Sequence, residues 1–132
     1  MLRMLDHIGI DVSDIERSKR FYAAALEPLG YVMTKDRGEA AGFGVTDGEK
    51  KSSDPAGEFW IARGSPKPPL VHIAFSAMTR GAVDAFHAAA LAAGGRDNGG
   101  PGLRQKYHPD YYASFILDPD GYNIEAVCHL PG

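Results

Sequence analysis

Residues 5–30 read LDHIGIDVSDIERSKRFYAAALEPLG and residues 70–95 read LVHIAFSAMTRGAVDAFHAAALAAGG. The two stretches align without a gap. Leu5 matches Leu70, His7 matches His72, Ile8 matches Ile73 and Phe21 matches Phe86. Ala23-Ala24-Ala25-Leu26 matches Ala88-Ala89-Ala90-Leu91, and Gly30 matches Gly95. A repeated module decides the fold, because each copy must build the same supersecondary unit. It also puts two histidines at equivalent points of two equivalent strands.

Working outward, the first copy opens on a strand over Leu5–Val12, where Ile8, Ile10 and Val12 alternate with His7, Gly9 and Asp11. Ser13 or Asp14 can cap the helix that follows, and Pro28 and Gly30 stop it. Tyr31–Thr34, Gly42–Thr46 and Phe59–Ala62 read as short strands, and the polar run Asp47–Gly57 as a solvated loop. Gly64-Ser65-Pro66-Lys67-Pro68-Pro69 is a linker. The second copy repeats the order: strand Leu70–Ala77, a helix capped by Thr79, strand Tyr111–Leu117, the tight turn Asp118-Pro119-Asp120-Gly121, and strand Asn123–Cys128. Its extra strand is only weakly marked near 103–107, after a flexible loop at Gly99-Gly100-Pro101-Gly102. Each copy therefore reads βαβββ, and helices with antiparallel hairpins predict an α+β fold. The expected organisation is one domain over 1–132, with modules at 1–63 and 70–130 joined by the linker 64–69.

Composition narrows the function. The chain has 132 residues and a net charge of −3, which offers no basic patch for nucleic acid. Cys128 is the sole cysteine and cannot form an internal disulfide, which fits a reducing compartment. The N-terminus has too short an apolar stretch for a signal peptide, and no run approaches a membrane span. These features predict a cytoplasmic protein with no membrane and no nucleic-acid partner. No P-loop, dinucleotide fingerprint or paired-cysteine motif is present.

Period-two alternation selects the candidate site. His7 shares a strand face with Gly9 and Asp11, His72 with Ala74 and Ser76, and Glu125 with Asn123 and Val127. Each stands opposite an apolar face that packs on helices. If both modules line one cavity, His7, His72 and Glu125 meet there. Two imidazoles and a carboxylate suit a divalent metal, whether zinc, iron(II), manganese, nickel or cobalt. The repeat offers no fourth ligand: depending on register, Glu125 corresponds to Trp60 or Ile61. Glu58 lies on the Trp60 face but two residues early and reads as the polar start of a strand.

These residues resemble the vicinal oxygen chelate superfamily, which includes glyoxalase, fosfomycin-resistance thiol transferases, extradiol dioxygenases, methylmalonyl-CoA epimerase and bleomycin-binding proteins. The matching stretches are Leu5-Asp6-His7-Ile8-Gly9-Ile10, Ser18 with Phe21-Tyr22, Val71-His72-Ile73-Ala74-Phe75, and Asp118-Pro119-Asp120-Gly121 running into Ile124-Glu125. The resemblance implies paired modules forming a cup-shaped, partly open mixed sheet with helices outside. It also implies metal binding by His7, His72 and Glu125. It further implies a homodimer, sometimes with modules exchanged so that two subunits build the site. The implied chemistry is chelation of a small substrate through two vicinal oxygens, with stabilisation of an oxyanion or enolate. Lyase, isomerase, thiol transferase and dioxygenase types all fit. The glyoxalase pattern has a fourth ligand where this chain has Trp60 or Ile61. The alternative is a non-catalytic protein that binds an antibiotic or toxin, as bleomycin-binding relatives do.

Such chemistry needs a proton carrier, and the segment Arg104-Gln105-Lys106-Tyr107-His108-Pro109-Asp110-Tyr111-Tyr112 offers several. His108 is the expected acid/base and Tyr111 the expected hydrogen-bond donor. Trp60, Arg104 and Tyr107 are expected to line the substrate pocket. His129 reads as peripheral.

Overall fold

The computed structural model describes residues 5–132; residues 1–4, on which the reading of the N-terminus partly rests, lie outside the described residues. The first module runs β1 (Ile8–Val12), α1 (Ile15–Leu26), a single 3-10 turn, β2 (Val32–Asp36), β3 (Ala40–Gly44) and β4 (Phe59–Arg63). The second runs β5 (Ile73–Ser76), α2 (Arg80–Ala92), β6 (Arg96–Leu103), β7 (Tyr112–Leu117) and β8 (Asn123–Cys128). The two sheets have matching orders, β1-β4-β3-β2 and β5-β8-β7-β6. In each, the first and last strands of the module pair in parallel and the rest are antiparallel. This is the α+β, two-module architecture that the repeat predicts, with sheets that do not close.

Local chemistry accounts for the elements. The Asp14 side chain accepts from the Arg17 amide at 3.1 Å and caps α1, while Ser13 turns away to Asp120. Thr79 caps α2 by accepting from the Ala82 amide. In β1, Ile10 and Val12 are buried while Gly9 and Asp11 are exposed. The buried faces of both sheets share one core with α1 and α2, which pack on each other. Phe59 of the first module meets Phe75 of the second edge to face, with centroids 5.2 Å apart. The turn 118–121 ties the modules together. Asp118 accepts from the buried Tyr22 phenol, Asp120 accepts from Ser13, and the Tyr122 phenol donates to the Asp11 carbonyl at 2.7 Å. Burial holds the Asp118 carboxyl above its ordinary value, and burial with the Asp118 charge holds Tyr22 well above its own.

The structure corrects two expectations. The glycine-rich stretch 99–102 is not a free loop; it belongs to β6, which ends at Leu103 instead of running over 103–107. Backbone pairing to β7 makes this strand, with irregular register at Asp97, Gly99 and Gly102, and side-chain pattern carries no trace of it. The run Asp47–Gly57 is not simply solvated either. It folds back onto the open face of β3, where a Cβ at Gly42 would stand 2.2 Å from the Ala56 carbonyl oxygen. One at Gly44 would stand 2.7 Å from Ser52 Oγ. Ser52 is buried, accepts from the Val45 amide and donates to Glu58.

Two measurements check these contacts. Gly42→Ala forces the loop off the sheet, and overpacking of this kind costs about 1–3 kcal/mol. A denaturant titration is expected to show that loss, and an unchanged midpoint would contradict the docked loop. The second concerns the buried Lys19 ammonium, which reaches Asp36 at 2.9 Å and Glu16 at 3.0 Å. Its hydrogen bond, followed by that of the Gly38 amide, holds the Asp36 carboxyl below its ordinary value. The unfolded chain then binds the proton more readily, so this stability is present above about pH 4 and is lost as pH falls further. Lys19→Met removes the larger cause, and the acid limb of its stability curve is expected to be shallower than that of the wild type.

Candidate functional site

The side of each sheet away from the helices is open. On the second sheet, register puts Ala74 and Phe115 beside Glu125 on this side. Glu125 is nevertheless only 2 % exposed, because its neighbours close over it. Its Oε1 lies 2.9 Å from His72 Nε2, and its Oε2 accepts from the Tyr111 phenol. The Phe115 ring stacks against the His72 ring at 6.2 Å. Burial, then the Glu125 carboxylate, push the Tyr111 phenol up to about 12, so it stays protonated and acts as a donor at neutral pH.

The far nitrogen of His72 defines the chemistry of this pair. Nδ1 lies 2.9 Å from the Asn123 carbonyl oxygen, which can only accept, so Nδ1 carries a proton. In the neutral ring Nε2 is then a lone pair, and it faces a carboxylate oxygen. That pairing of a lone pair with a carboxylate oxygen calls for an electrophile to be shared by the two groups, a proton or a metal ion. A histidine oriented through Nδ1 on a carbonyl, beside a buried carboxylate oriented by a phenol, fits a divalent metal by donor chemistry.

His7 occupies the equivalent point of the first module but stands apart from the pair. Its Nδ1 lies 2.7 Å from the Asp6 carboxylate and its side chain is exposed. His7 and His72 line the same cavity of about 530 Å³, with Tyr31, Phe59, Phe75 and Glu58 among its other walls. Among the described residues, however, no three histidine, cysteine, aspartate or glutamate side chains gather as a metal-holding group. The expected meeting of His7, His72 and Glu125 is thus realised within the chain only for the last two. The physical reason is the packing: β1 and β5 end their separate sheets, and the sheets are joined through their helical faces. Glu58 lines the cavity and accepts from Ser52 Oγ at 3.0 Å.

The remaining expected site residues divide between the two open faces. On the first sheet, Gly9 pairs in register with Trp60 as Ala74 pairs with Glu125. This settles the repeat in favour of Trp60, not Ile61, as the counterpart of Glu125. Trp60 is half-buried and is not among the lining of the His7 cavity. On the second sheet, the Arg104 guanidinium lies over Phe115 at 5.3 Å and donates to the Gly100 and Gly102 carbonyls. Tyr107 is exposed and packs its ring 4.8 Å from that of Tyr111. Both His108 ring nitrogens are engaged: Nδ1 accepts from the Asp110 amide, and Nε2 lies 2.7 Å from His129 Nδ1. The His108 and His129 rings both stand edge-on to Tyr111. His129, expected at the periphery, belongs to the wall that holds Tyr111. Its place on the Glu125 side of the last strand, four positions on, was the available signal.

Residues 4–126 match the sequence model of the Glyoxalase/Bleomycin resistance protein/Dioxygenase superfamily. A glyoxalase/bleomycin resistance protein from Albidiferax ferrireducens is 31% identical, with a TM-score of 0.75 over 98% of this chain and 100% of that one. A glyoxalase/bleomycin resistance protein/dioxygenase family enzyme from Burkholderia phytofirmans PsJN is 19% identical, with a TM-score of 0.70 over 95% and 98%. The fosfomycin resistance protein FosX from Listeria monocytogenes is 18% identical, with a TM-score of 0.67 over 97% and 94%. A mutant of that protein has been solved in complex with manganese(II) and a dihydroxypropylphosphonic acid. Comparison with curated proteins gives no match. Among the described residues no helix is long and apolar enough to cross a membrane.

Proposed function

The chain belongs to the glyoxalase/bleomycin resistance/dioxygenase superfamily, and from that premise we propose that it is a divalent-metal enzyme acting on a small substrate with two neighbouring oxygens. The observation that carries this reading is the buried Glu125 carboxylate against His72 Nε2. His72 and Glu125 are the metal donors from the second module, and His7 is the third. FosX supports the reading as a relative of the same fold solved with a divalent metal.

When bound, the metal supplies Lewis-acid stabilisation of an oxyanion or enolate and leaves positions for substrate oxygens. The protein does the rest. The Asn123 carbonyl fixes the His72 tautomer and Tyr111 holds the second Glu125 oxygen, so the first is aimed outward. Tyr111 keeps its proton and serves as a donor, not a base. Phe115 keeps water from one side of His72. Manganese, iron(II), zinc, nickel and cobalt all suit this donor set.

We assign the protein to a homodimer in which His7 of one subunit completes the pair on the other. The open faces and the separation of His7 from His72–Glu125 within one chain support this. A metal-free protein that binds its ligand on the open faces is the competing reading, of the bleomycin-resistance type.

Metal analysis of protein purified without chelator tests the centre. About one equivalent per chain is expected, falling to background in Glu125→Ala and by about 10–100-fold in affinity in Tyr111→Phe. Wild type that takes up no more metal than Glu125→Ala would support the binding-protein reading instead. Subunit mixing tests the sharing. His7→Ala and Glu125→Ala each lack sites alone, but their heterodimer regains one intact site if the donors come from two chains. No recovery of metal on mixing would place all three donors in one chain.

A further inference from the structure

The open face of the first sheet holds a second arrangement, which the metal reading does not use. Trp60, the single tryptophan of the chain, lies on a floor stripped of side chains. A Cβ at Gly42 would stand 2.8 Å from its Cζ2 and 2.9 Å from its Cε2, so the indole rests on glycine backbone. The Trp60 Nε1 donates to the Gly57 carbonyl at 3.1 Å, which fixes the ring in its plane. The Arg37 guanidinium lies above the ring, 5.7 Å from its centroid.

Among the described residues the charge on Arg37 has no carboxylate to meet. Its two acidic neighbours in the β2–β3 hairpin are already committed. Asp36 accepts from Lys19 at 2.9 Å and from the Gly38 amide, and Glu39 pairs with Arg63 at 3.3 Å. Among the described residues Arg37 forms no ion pair. The site therefore combines an immobilised aromatic surface with an exposed, planar cation that lacks an anion.

We propose that Trp60 and Arg37 form a binding subsite for an aromatic carboxylate. The carboxylate of the ligand takes the two parallel N–H bonds of the guanidinium, which swings off the indole to meet it, and the ligand ring replaces Arg37 on the outer face of Trp60. A tetrahedral anion has no plane to offer Trp60, and a neutral arene leaves Arg37 unused. The proposal rests on the open faces being the ligand side of the protein, as in the proposed function, but needs no metal.

Because Trp60 is the sole tryptophan, its fluorescence reads the subsite directly. Benzoate, titrated into the dimeric protein with and without manganese, is expected to change the emission saturably. It should bind about tenfold more tightly than its neutral isostere benzamide. Arg37→Gln is expected to abolish that preference, and Arg37→Lys to restore it only in part, since an ammonium lacks the planar fork. Equal binding of benzoate and benzamide, or an undiminished preference in Arg37→Gln, would overturn the subsite. So would a failure of benzoate to saturate. Metal content measured on the same samples separates the two readings. Benzoate binding by protein that takes up no metal removes only the metal centre, and metal uptake without benzoate binding removes only this subsite.

Discussion

A carboxylate shut away from water must be compensated, and Glu125 is the residue that imposes this on the second module. It sits in β8, with buried neighbours on both sides, and only 2 % of it is exposed. Its two oxygens are met from the two flanking strands. His72 stands just before β5 on one side, and Tyr111 just before β7 on the other. The strand order β5-β8-β7 is therefore part of the site: a slip of either neighbour by one residue would turn its partner to the opposite face. The cost of burying the charge is offset only if both partners stay. Three rings, Tyr107, His108 and His129, pack edge-on or tilted around that single phenol.

The first module solves the same geometry with the opposite chemistry. Trp60 takes the Glu125 position, and Gly42 stands beside it where Phe115 stands beside Glu125. The large and small side chains have been exchanged between two adjacent strands. On one sheet the aromatic ring walls a polar pair, and on the other the absence of a side chain makes room for an indole. The empty positions also admit the backbone of the loop 45–58, which makes no comparable return in the second module. Duplication kept the scaffold, and a few substitutions divided the two faces into an ionic one and an aromatic one.

Much of this was legible in the sequence, because it lives in periodicity. The repeat fixed the βαβββ order, alternation put His72 and Glu125 on one face, and Asp14 and Thr79 marked the helix starts. What escaped depends on main-chain contacts that leave no side-chain pattern. The glycines of β6 pair with β7 through backbone bonds, and the glycines of β3 accept a loop that composition alone marks as solvated. Arg37 was invisible for a different reason. Its significance comes from Asp36 and Glu39 being taken by Lys19 and Arg63, and those partners lie far away in the chain. Nor could alternation tell whether His7 meets His72 within one molecule, since it assigns faces and not the relation between sheets.

That relation is set by the turn 118–121. Asp118 holds Tyr22 of α1, Asp120 holds Ser13, and Tyr122 reaches the Asp11 carbonyl, so three contacts clamp the second module onto the first through its helical side. With Phe59 against Phe75 in the shared core, the buried faces are fully spent on joining the modules. The faces bearing Glu125 and Trp60 carry no helix, and only the loop 45–58 and the side chains around Tyr111 return over them. One face carries a compensated charge and the other an ordered indole, and neither is spent on joining the modules. The clamp that completes the fold of one chain is what turns both faces outward, the arrangement on which the proposed shared site rests.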